Sequence, residues 1–155
     1  MRLKHVLATI TLVLSFAAPV IAGPADDALD AFVNHDYATA LTLFHRAADQ
    51  GDANGFFMLG VMYATGQGVP QNYTEAVRWY QLATDQGSTE AQYNLGDMYA
   101  TGQGVPRDYV SAYMWLSLAA AQGEQIATKS RDLIARRMTP AQIAKAQRLA
   151  REWKR

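Results

Sequence analysis

Two glycine-rich loops are the part of this sequence that most suggests chemistry. The string TGQGVP occurs at residues 65–70 and again at 101–106. The backbone N–H groups of glycine-rich turns can bind phosphate, but a nucleotide-binding loop also carries a lysine followed by serine or threonine. Neither string has that pair, and no strand pattern precedes either one. Because glycine adopts the left-handed conformations that tight turns need, we predict that both loops are structural connectors.

The remaining candidates for catalysis or metal binding are few. His35 and His45 are ten residues apart and belong to no His-x-x-His or His-Glu-x-x-His pattern, and the chain has no cysteine. Asp26, Asp27 and Asp30 lie near the start of a predicted helix, where carboxylates are stabilised by the positive end of the helix dipole. Serine and histidine follow no triad-like order. The sequence therefore predicts no catalytic residue, no metal site and no cofactor.

The two loops belong to a repeat with a period of 36 residues. A fixed period of this size is typical of a helical solenoid, in which neighbouring units bury each other's apolar faces and expose a long concave surface. The matching pairs are Leu59 and Leu95, Gly60 and Gly96, Tyr63 and Tyr99, Tyr73 and Tyr109, Ala76 and Ala112, Trp79 and Trp115, Ala83 and Ala119, and Gly87 and Gly123.

Each full unit is predicted to contain two helices, A and B. In the second unit, helix A covers about Ala53–Ala64 and helix B about Tyr73–Gln86, with Asn72 and Glu75 as a capping-box pattern. The predicted fold is an all-α, right-handed α/α superhelical solenoid of about three helix-pair repeats plus a C-terminal capping helix pair. The predicted units are 25–51, 52–87 and 88–123, the cap is 124–155, and its helices cover about 124–137 and 140–153.

The first 22 residues have the pattern of a secretory signal peptide. Arg2, Lys4 and His5 precede the apolar run Val6–Ala18, and small or branched residues precede a cut after Ala22. The run is shorter than the ~20 apolar residues of a membrane-spanning helix, and an uncleaved anchor is the alternative. No cysteine follows it, which excludes lipid attachment at a mature N-terminal cysteine. We expect a periplasmic or secreted domain covering residues 23–155.

Charge is divided unevenly along the chain. Residues 23–123 contain three basic residues against eleven acidic ones, whereas residues 124–155 contain nine against three. Such asymmetry is a possible interaction signal. Three roles stay open for the basic tail: a solvated cap, contact with an anionic membrane surface, or docking on the acidic repeats of another copy. Nucleic acid is not expected as a partner of an exported protein. The candidate basic surface is Arg136, Arg137, Arg148 and Arg151.

With these residues described, the chain resembles the Sel-one-like repeat family, a branch of the tetratricopeptide-like helical repeats. Gly55 and Ala91 open the family pattern here, and the one departure at its later fixed positions is Asn72, where Asp108 supplies the usual aspartate. The segment MTPAQIAKAQRLAREW also resembles the end of many secreted bacterial members. The resemblance implies an α/α superhelix that makes protein–protein contacts. Because the chain has no cysteine, the penicillin-binding activity proposed for a cysteine-rich subgroup is not carried over.

The candidate binding residues are positions that differ between units with matching core positions. On a helical wheel they lie opposite Leu59 and Leu95, on the side of helix A that lines the groove in tetratricopeptide-like folds. The alternative is that neighbouring A helices cover Phe57 and Tyr93. Trp79 and Trp115 are instead predicted core residues, each packing helix B against the next helix A. The candidate groove residues are Asn54, Phe57, Val61, Glu90, Tyr93 and Asp97.

The function predicted from the sequence is non-enzymatic binding of a protein or peptide in the concave groove, as an adaptor or regulator in the cell envelope. Two alternatives stay open. One is an enzyme acting on cell-wall material with Glu90 or Asp97 in catalysis. The other is a structural assembly factor that associates with itself.

Export gives the first prediction. The mature protein should begin at Gly23, because Val20 and Ala22 occupy the −3 and −1 positions of the expected cut. N-terminal sequencing of protein recovered from the cell envelope measures this directly. Recovery of the full-length chain from the cytoplasm would contradict the periplasmic location.

Overall fold

The structure, a computed structural model, describes residues 23–153, so the predicted signal peptide lies outside the described residues. Within this range the chain forms eight α-helices and no strand. The helices are α1 (Pro24–Val33), α2 (Tyr37–Asp49), α3 (Ala53–Thr65), α4 (Tyr73–Asp85), α5 (Thr89–Thr101), α6 (Tyr109–Ala121), α7 (Gln125–Ala135) and α8 (Pro140–Glu152). The predicted all-α fold is confirmed, and the predicted helix limits differ from these by one or two residues.

Local sequence signals explain where the helices begin and end. Thr139 and Gln142 form the reciprocal capping box at the start of α8, with Pro140 in the first turn. Only one of the two hydrogen bonds of the capping box predicted at the start of α4 is present. The Asn72 side chain accepts the backbone N–H of Glu75, but the Glu75 carboxylate pairs with Arg78 at 2.9 Å instead of returning to the cap.

The helices pack in consecutive order as a solenoid. Each helix from α1 to α6 packs against the next one along the chain, and α8 packs against α6. Burial divides into three apolar clusters. The first lies between α1, α2 and α3 around Phe44 and Leu59. The central cluster joins α4, α5 and α6 around Tyr80 and Leu95. The C-terminal cluster joins α6 and α7 around Leu116. Each cluster lies between units, so no unit buries its apolar face alone.

Both glycine-rich loops connect neighbouring units as well as the two helices of one unit. Gln67 Nε2 donates to the Tyr37 hydroxyl at 2.8 Å, so the first loop contacts the start of helix α2 in the preceding unit. In the second loop, a Cβ built on Gly104 would lie 2.4 Å from the Tyr73 carbonyl oxygen at the start of α4. Gly66, Gly68, Gly102 and Gly104 all have positive φ angles between 72° and 77°. The structural role predicted for the loops is confirmed.

The tryptophans are core residues, but their direction of packing differs from the prediction. The Trp79 ring lies 5.5 Å from the His45 ring and 6.2 Å from the Phe56 ring, so it packs back against α2 and α3. The predicted contact with the next helix A is therefore wrong for Trp79. The side chain at position 79 fills the space between successive B helices, and α5 lies against another face of α4. Trp115 is buried, and its ring lies 4.7 Å from that of Trp153.

The last helix covers the outer side of α6. Trp153 packs into the central cluster together with Met114 and Leu118 of α6. At the corresponding places in α4 the chain has Arg78, which is exposed, and Leu82, which is 42% exposed. Because α5, α7 and α8 all pack on α6, that helix is apolar around most of its circumference, as an enclosed helix must be.

The contact between loop and preceding unit predicts the effect of Gly104→Ala. Its methyl group would meet a backbone carbonyl at 2.4 Å, which only a shift of the loop can relieve. Gly87→Ala is the matched control, since Gly87 also has a positive φ, 88°, but no atom lies within 4 Å of its Cβ position. We expect the control to lose ~1–2 kcal/mol of unfolding free energy and Gly104→Ala to lose clearly more. Urea titrations of both proteins measure the difference, and equal losses would contradict the assigned contact.

Because Trp115 is buried, we predict that Trp115→Ala greatly reduces the stability of the fold. The substitution should reduce the free energy of unfolding by ~3–5 kcal/mol, because it removes a buried indole and leaves a cavity between α6 and α8. Thermal unfolding followed by circular dichroism measures the effect. A melting temperature equal to that of the parent protein would show that Trp115 does not hold the C-terminal half together.

Candidate functional site

On α3, the candidate groove residues divide into one exposed and two half-buried positions. Asn54 is exposed in the first turn, where its backbone N–H donates to Asp52 Oδ1 at 2.7 Å. Phe57 and Val61 are half-buried and pack against the central cluster. The Phe57 ring lies 5.8 Å from the Tyr80 ring of α4. Phe57 and Val61 therefore contribute to the core, and part of each side chain remains accessible to solvent.

On α5, the corresponding residues are more polar and more exposed. Glu90 is exposed and its Oε2 accepts the Ser88 hydroxyl at 3.2 Å. Asp97, one full period after Val61, is also exposed. Tyr93 is half-buried and packs against the C-terminal cluster, away from the central cluster that holds Phe57. Phe57 and Tyr93 are thus both half-buried, and the ring that contacts Phe57 belongs to α4, a helix B, instead of a neighbouring A helix.

These six residues, at equivalent positions on α3 and α5, are together called the A-helix face. The helices α3 and α5 both pack against α4, which holds them in the same relative arrangement that the 36-residue period prescribes. The face changes from partly apolar on α3 to acidic on α5. A surface of this kind can hold an extended segment that has both an apolar and a basic side chain.

The same register continues onto α7. Asp52, Ser88 and Glu124 are the N-cap residues of α3, α5 and α7, again 36 residues apart. Adding 36 to Glu90, Tyr93 and Asp97 gives three positions on α7, all of them exposed. The loss of the Leu-Gly-x-x-Tyr signature after Gly123 concealed this continuation, although the spacing of the N-caps could have revealed it. The three residues are Ile126, Lys129 and Leu133.

A basic cleft lies beside α7, at the C-terminal end of the solenoid. Arg137 Nη1 donates to the Tyr109 hydroxyl at 3.3 Å, and the Arg107 guanidinium lies 5.6 Å from the Tyr109 ring centre. The hydrogen bond from Arg137 lowers the pKa of the Tyr109 hydroxyl from its usual value. The cleft has a volume of about 480 Å³ and is lined by Ala100, Thr101, Tyr109, Leu133, Ile134, Arg136 and Arg137.

The four arginines of the predicted basic surface occupy two helical regions. Arg136 and Arg137 follow α7 and line the cleft. Arg148 and Arg151 are exposed on α8, where Arg148 Nε lies 3.9 Å from a carboxylate oxygen of Glu152. No hydrogen bond or ion pair described between residues 23 and 153 links the two pairs. The two regions are therefore treated as separate surfaces.

The histidines make local contacts. His35 Nδ1 lies 2.9 Å from the Tyr37 hydroxyl, and His45 packs edge-on against Trp79. Over residues 23–153 no group of three or more histidine, cysteine, aspartate or glutamate side chains is placed to hold a metal ion. No helix in that same range combines the length and apolar character required to cross a membrane.

Comparisons with solved structures agree with this architecture. One match is a protective antigen of uropathogenic Escherichia coli strains that displays an SLR fold: identity is 29% and the TM-score 0.79, over 83% of this chain and 28% of the antigen. Another is a Sel1 repeat protein from Oxalobacter formigenes, with 31% identity and a TM-score of 0.64 over 68% of this chain and 42% of the other. This chain thus spans less than half the length of either protein.

A third solved structure shares the fold alone. It is cysteine-rich protein B of Helicobacter pylori, with 18% identity and a TM-score of 0.56, over 68% of this chain and 95% of the other. No curated protein matches the chain in sequence. The Sel1 repeat pattern matches residues 29–52, 57–88 and 89–124, which is more than half of the sequence. With its helix pairs, its glycine-rich connectors and this match, the chain belongs to the Sel1 repeat family.

Proposed function

We propose that this protein is an exported, non-enzymatic interaction module that binds a protein or peptide on its A-helix face. It would act in the cell envelope as an adaptor or regulator. The partner segment would lie across α3 and α5 and contact Asn54, Phe57, Val61, Glu90, Tyr93 and Asp97.

Family membership supports the general part of this proposal. Sel1 repeats are typically protein–protein interaction modules, and the family is generally a non-enzymatic scaffold. The export signal predicted over residues 1–22 supports the placement in the envelope. Contact of the basic α8 surface with anionic lipid is compatible with that placement.

The observation that carries the choice of surface is the contrast between Val61 and Asp97. The two residues hold equivalent positions on A helices of neighbouring units, yet one is a half-buried apolar side chain and the other an exposed carboxylate. Core positions are constrained by packing between units, whereas positions on the A-helix face are constrained much less. Because Asp97 is exposed, packing does not require its charge, and a charge free of packing constraints is what a specific partner would select.

The same contrast indicates the chemistry of the partner. An apolar side chain would bury itself against the accessible edges of Phe57 and Val61, and this burial would supply most of the affinity. A lysine or arginine of the partner would lie near Glu90 and Asp97. Charge pairs at such an exposed rim contribute only about 0–1 kcal/mol but accelerate association.

Two substitutions on the A-helix face test the proposal once a partner has been captured from envelope extract and identified. Val61→Asp should mainly increase the dissociation rate, because it places a charge where the apolar anchor binds. Asp97→Lys should mainly lower the association rate, and the loss should shrink in high salt. Surface plasmon resonance with the purified partner measures both rates.

Asp85→Lys is the matched control for Asp97→Lys, because Asp85 is also an exposed aspartate but lies at the end of α4. Val61 contributes to the central cluster, so circular dichroism must show that Val61→Asp remains folded. If it does not, Glu90→Lys provides a second test at an exposed position of the same face. Binding by folded variants at parental rates would show that the partner binds elsewhere.

A further inference from the structure

The two ends of the solenoid expose most of its large apolar side chains. Of five exposed large apolar residues between residues 23 and 153, two lie on α1 and two on α7. Val33 of α1 is 71% exposed, and Leu133 of α7 is 61% exposed. Leu29 accompanies the first and Ile126 the second. Apolar groups gathered at the two ends of a repeat stack are a signal of association, since terminal units normally present polar outer faces.

The exposed face of α1 is acidic. Asp26, Leu29, Asp30 and Val33 occupy positions i, i+3, i+4 and i+7, which places them along one side of the helix. Asp27 lies beside them, and all three carboxylates are exposed. The opposite side of α1 packs against α2, so this acidic and apolar side faces outward. We call it the N-terminal end face.

The exposed face of α7 has the same pattern with the opposite charge. Ile126, Lys129, Leu133 and Arg136 follow one another at spacings of three and four residues, and all are exposed. Lys129 and Arg136 make no ion pair among the described ion pairs of residues 23–153. The carboxylate of Asp132 is held by Arg131. The four residues of this stripe, with Arg137 at the cleft, form the C-terminal end face.

The position of α8 leaves the C-terminal end face exposed. Position 133 is equivalent to Val61 of α3, which is half-buried against the central cluster, and to Asp97 of α5, which is exposed. Helix α8, which follows α7 in the chain, lies against α6. Leu133 therefore remains 61% exposed.

From this complementarity we propose that the protein associates head to tail, with the N-terminal end face of one copy docked on the C-terminal end face of the next. Leu29 and Val33 of one copy would pack against Ile126 and Leu133 of its neighbour. The aspartates of α1 would then lie near Lys129, Arg136 and Arg137. Because the two faces differ, each added copy presents a new free end, and the assembly grows as an open chain or closes as a ring.

This proposal uses none of the six residues proposed to bind the partner on α3 and α5, although Ile126, Lys129 and Leu133 continue the register of the A-helix face onto α7. The opposite charges of the two end faces also explain why identical copies would dock in a single orientation. Two acidic faces or two basic faces would repel, whereas the mixed pair attracts over the ~8 Å Debye length of physiological salt.

Sedimentation velocity over a wide concentration range tests the proposal with the purified protein itself. The average mass should rise with concentration beyond that of a dimer, and it should fall when salt is increased. A constant monomer mass at all concentrations, or a plateau at twice the monomer mass, would overturn head-to-tail growth.

Charge reversal at each end makes the test specific. The variant Asp27→Lys/Asp30→Lys has two basic ends, and the variant Lys129→Glu/Arg136→Glu has two acidic ends. Each alone should require at least about tenfold higher concentration to associate, which corresponds to about 1.4 kcal/mol. An equimolar mixture of the two should associate again as an alternating chain. A mixture that remains monomeric would overturn the proposed pairing.

Matched controls separate these effects from changes in net charge and solubility. Lys145→Glu/Arg151→Glu changes the charge by the same amount on α8, where both residues are exposed, and it should associate like the parent protein. Leu133→Asp should abolish association, whereas Leu82→Asp, at an exposed leucine on α4, should not. Equal effects of the two leucine substitutions would show that association does not use the end faces.

Discussion

The contact between each glycine-rich loop and the preceding unit is the constraint on which the rest of the structure depends. Gly104 lies so close to the Tyr73 carbonyl that no side chain fits between them. A side chain at position 104 would therefore push the loop away from the preceding helix B. This contact fixes the distance and rotation from one unit to the next, and so it sets the register of the apolar clusters between units. A solenoid built on such nearest-neighbour contacts has a stability that is approximately a sum over interfaces.

Much of this architecture could be predicted from the sequence, because each position of the repeat occurs in two units and can be compared between them. A leucine, glycine or tryptophan that recurs at +36 is under the same packing constraint in both units, so helix limits and core positions are predicted well. The period does not say which neighbour a buried side chain contacts. Trp79 illustrates this point, since its place in the core was predicted and its direction toward α2 and α3 was not.

The C-terminal part was harder to predict because it does not repeat. Helix α8 matches no earlier segment, and its place on α6 depends on long-range contacts such as that between Trp115 and Trp153. A signal was nevertheless present in the sequence. Arg78 becomes Met114 in the next unit, a change from a charged to an apolar side chain on the outer side of helix B. Such a change predicts that something covers the second position. The candidate groove residues depend on the same kind of reasoning, and family membership alone does not select them.

Packing between neighbouring units also explains why the surface is free to vary so strongly along the molecule. Since the clusters between units carry the stability, the exposed side of each A helix can change from neutral on α3 to acidic on α5 and basic on α7 without altering the backbone. The two ends of the solenoid thus differ in charge, with α1 acidic and α7 basic. This difference gives the molecule a direction that a partner, or another copy, can recognise before any apolar contact forms. The exposed side chains therefore set the polarity of the molecule, whereas packing between units sets the spacing of the repeats.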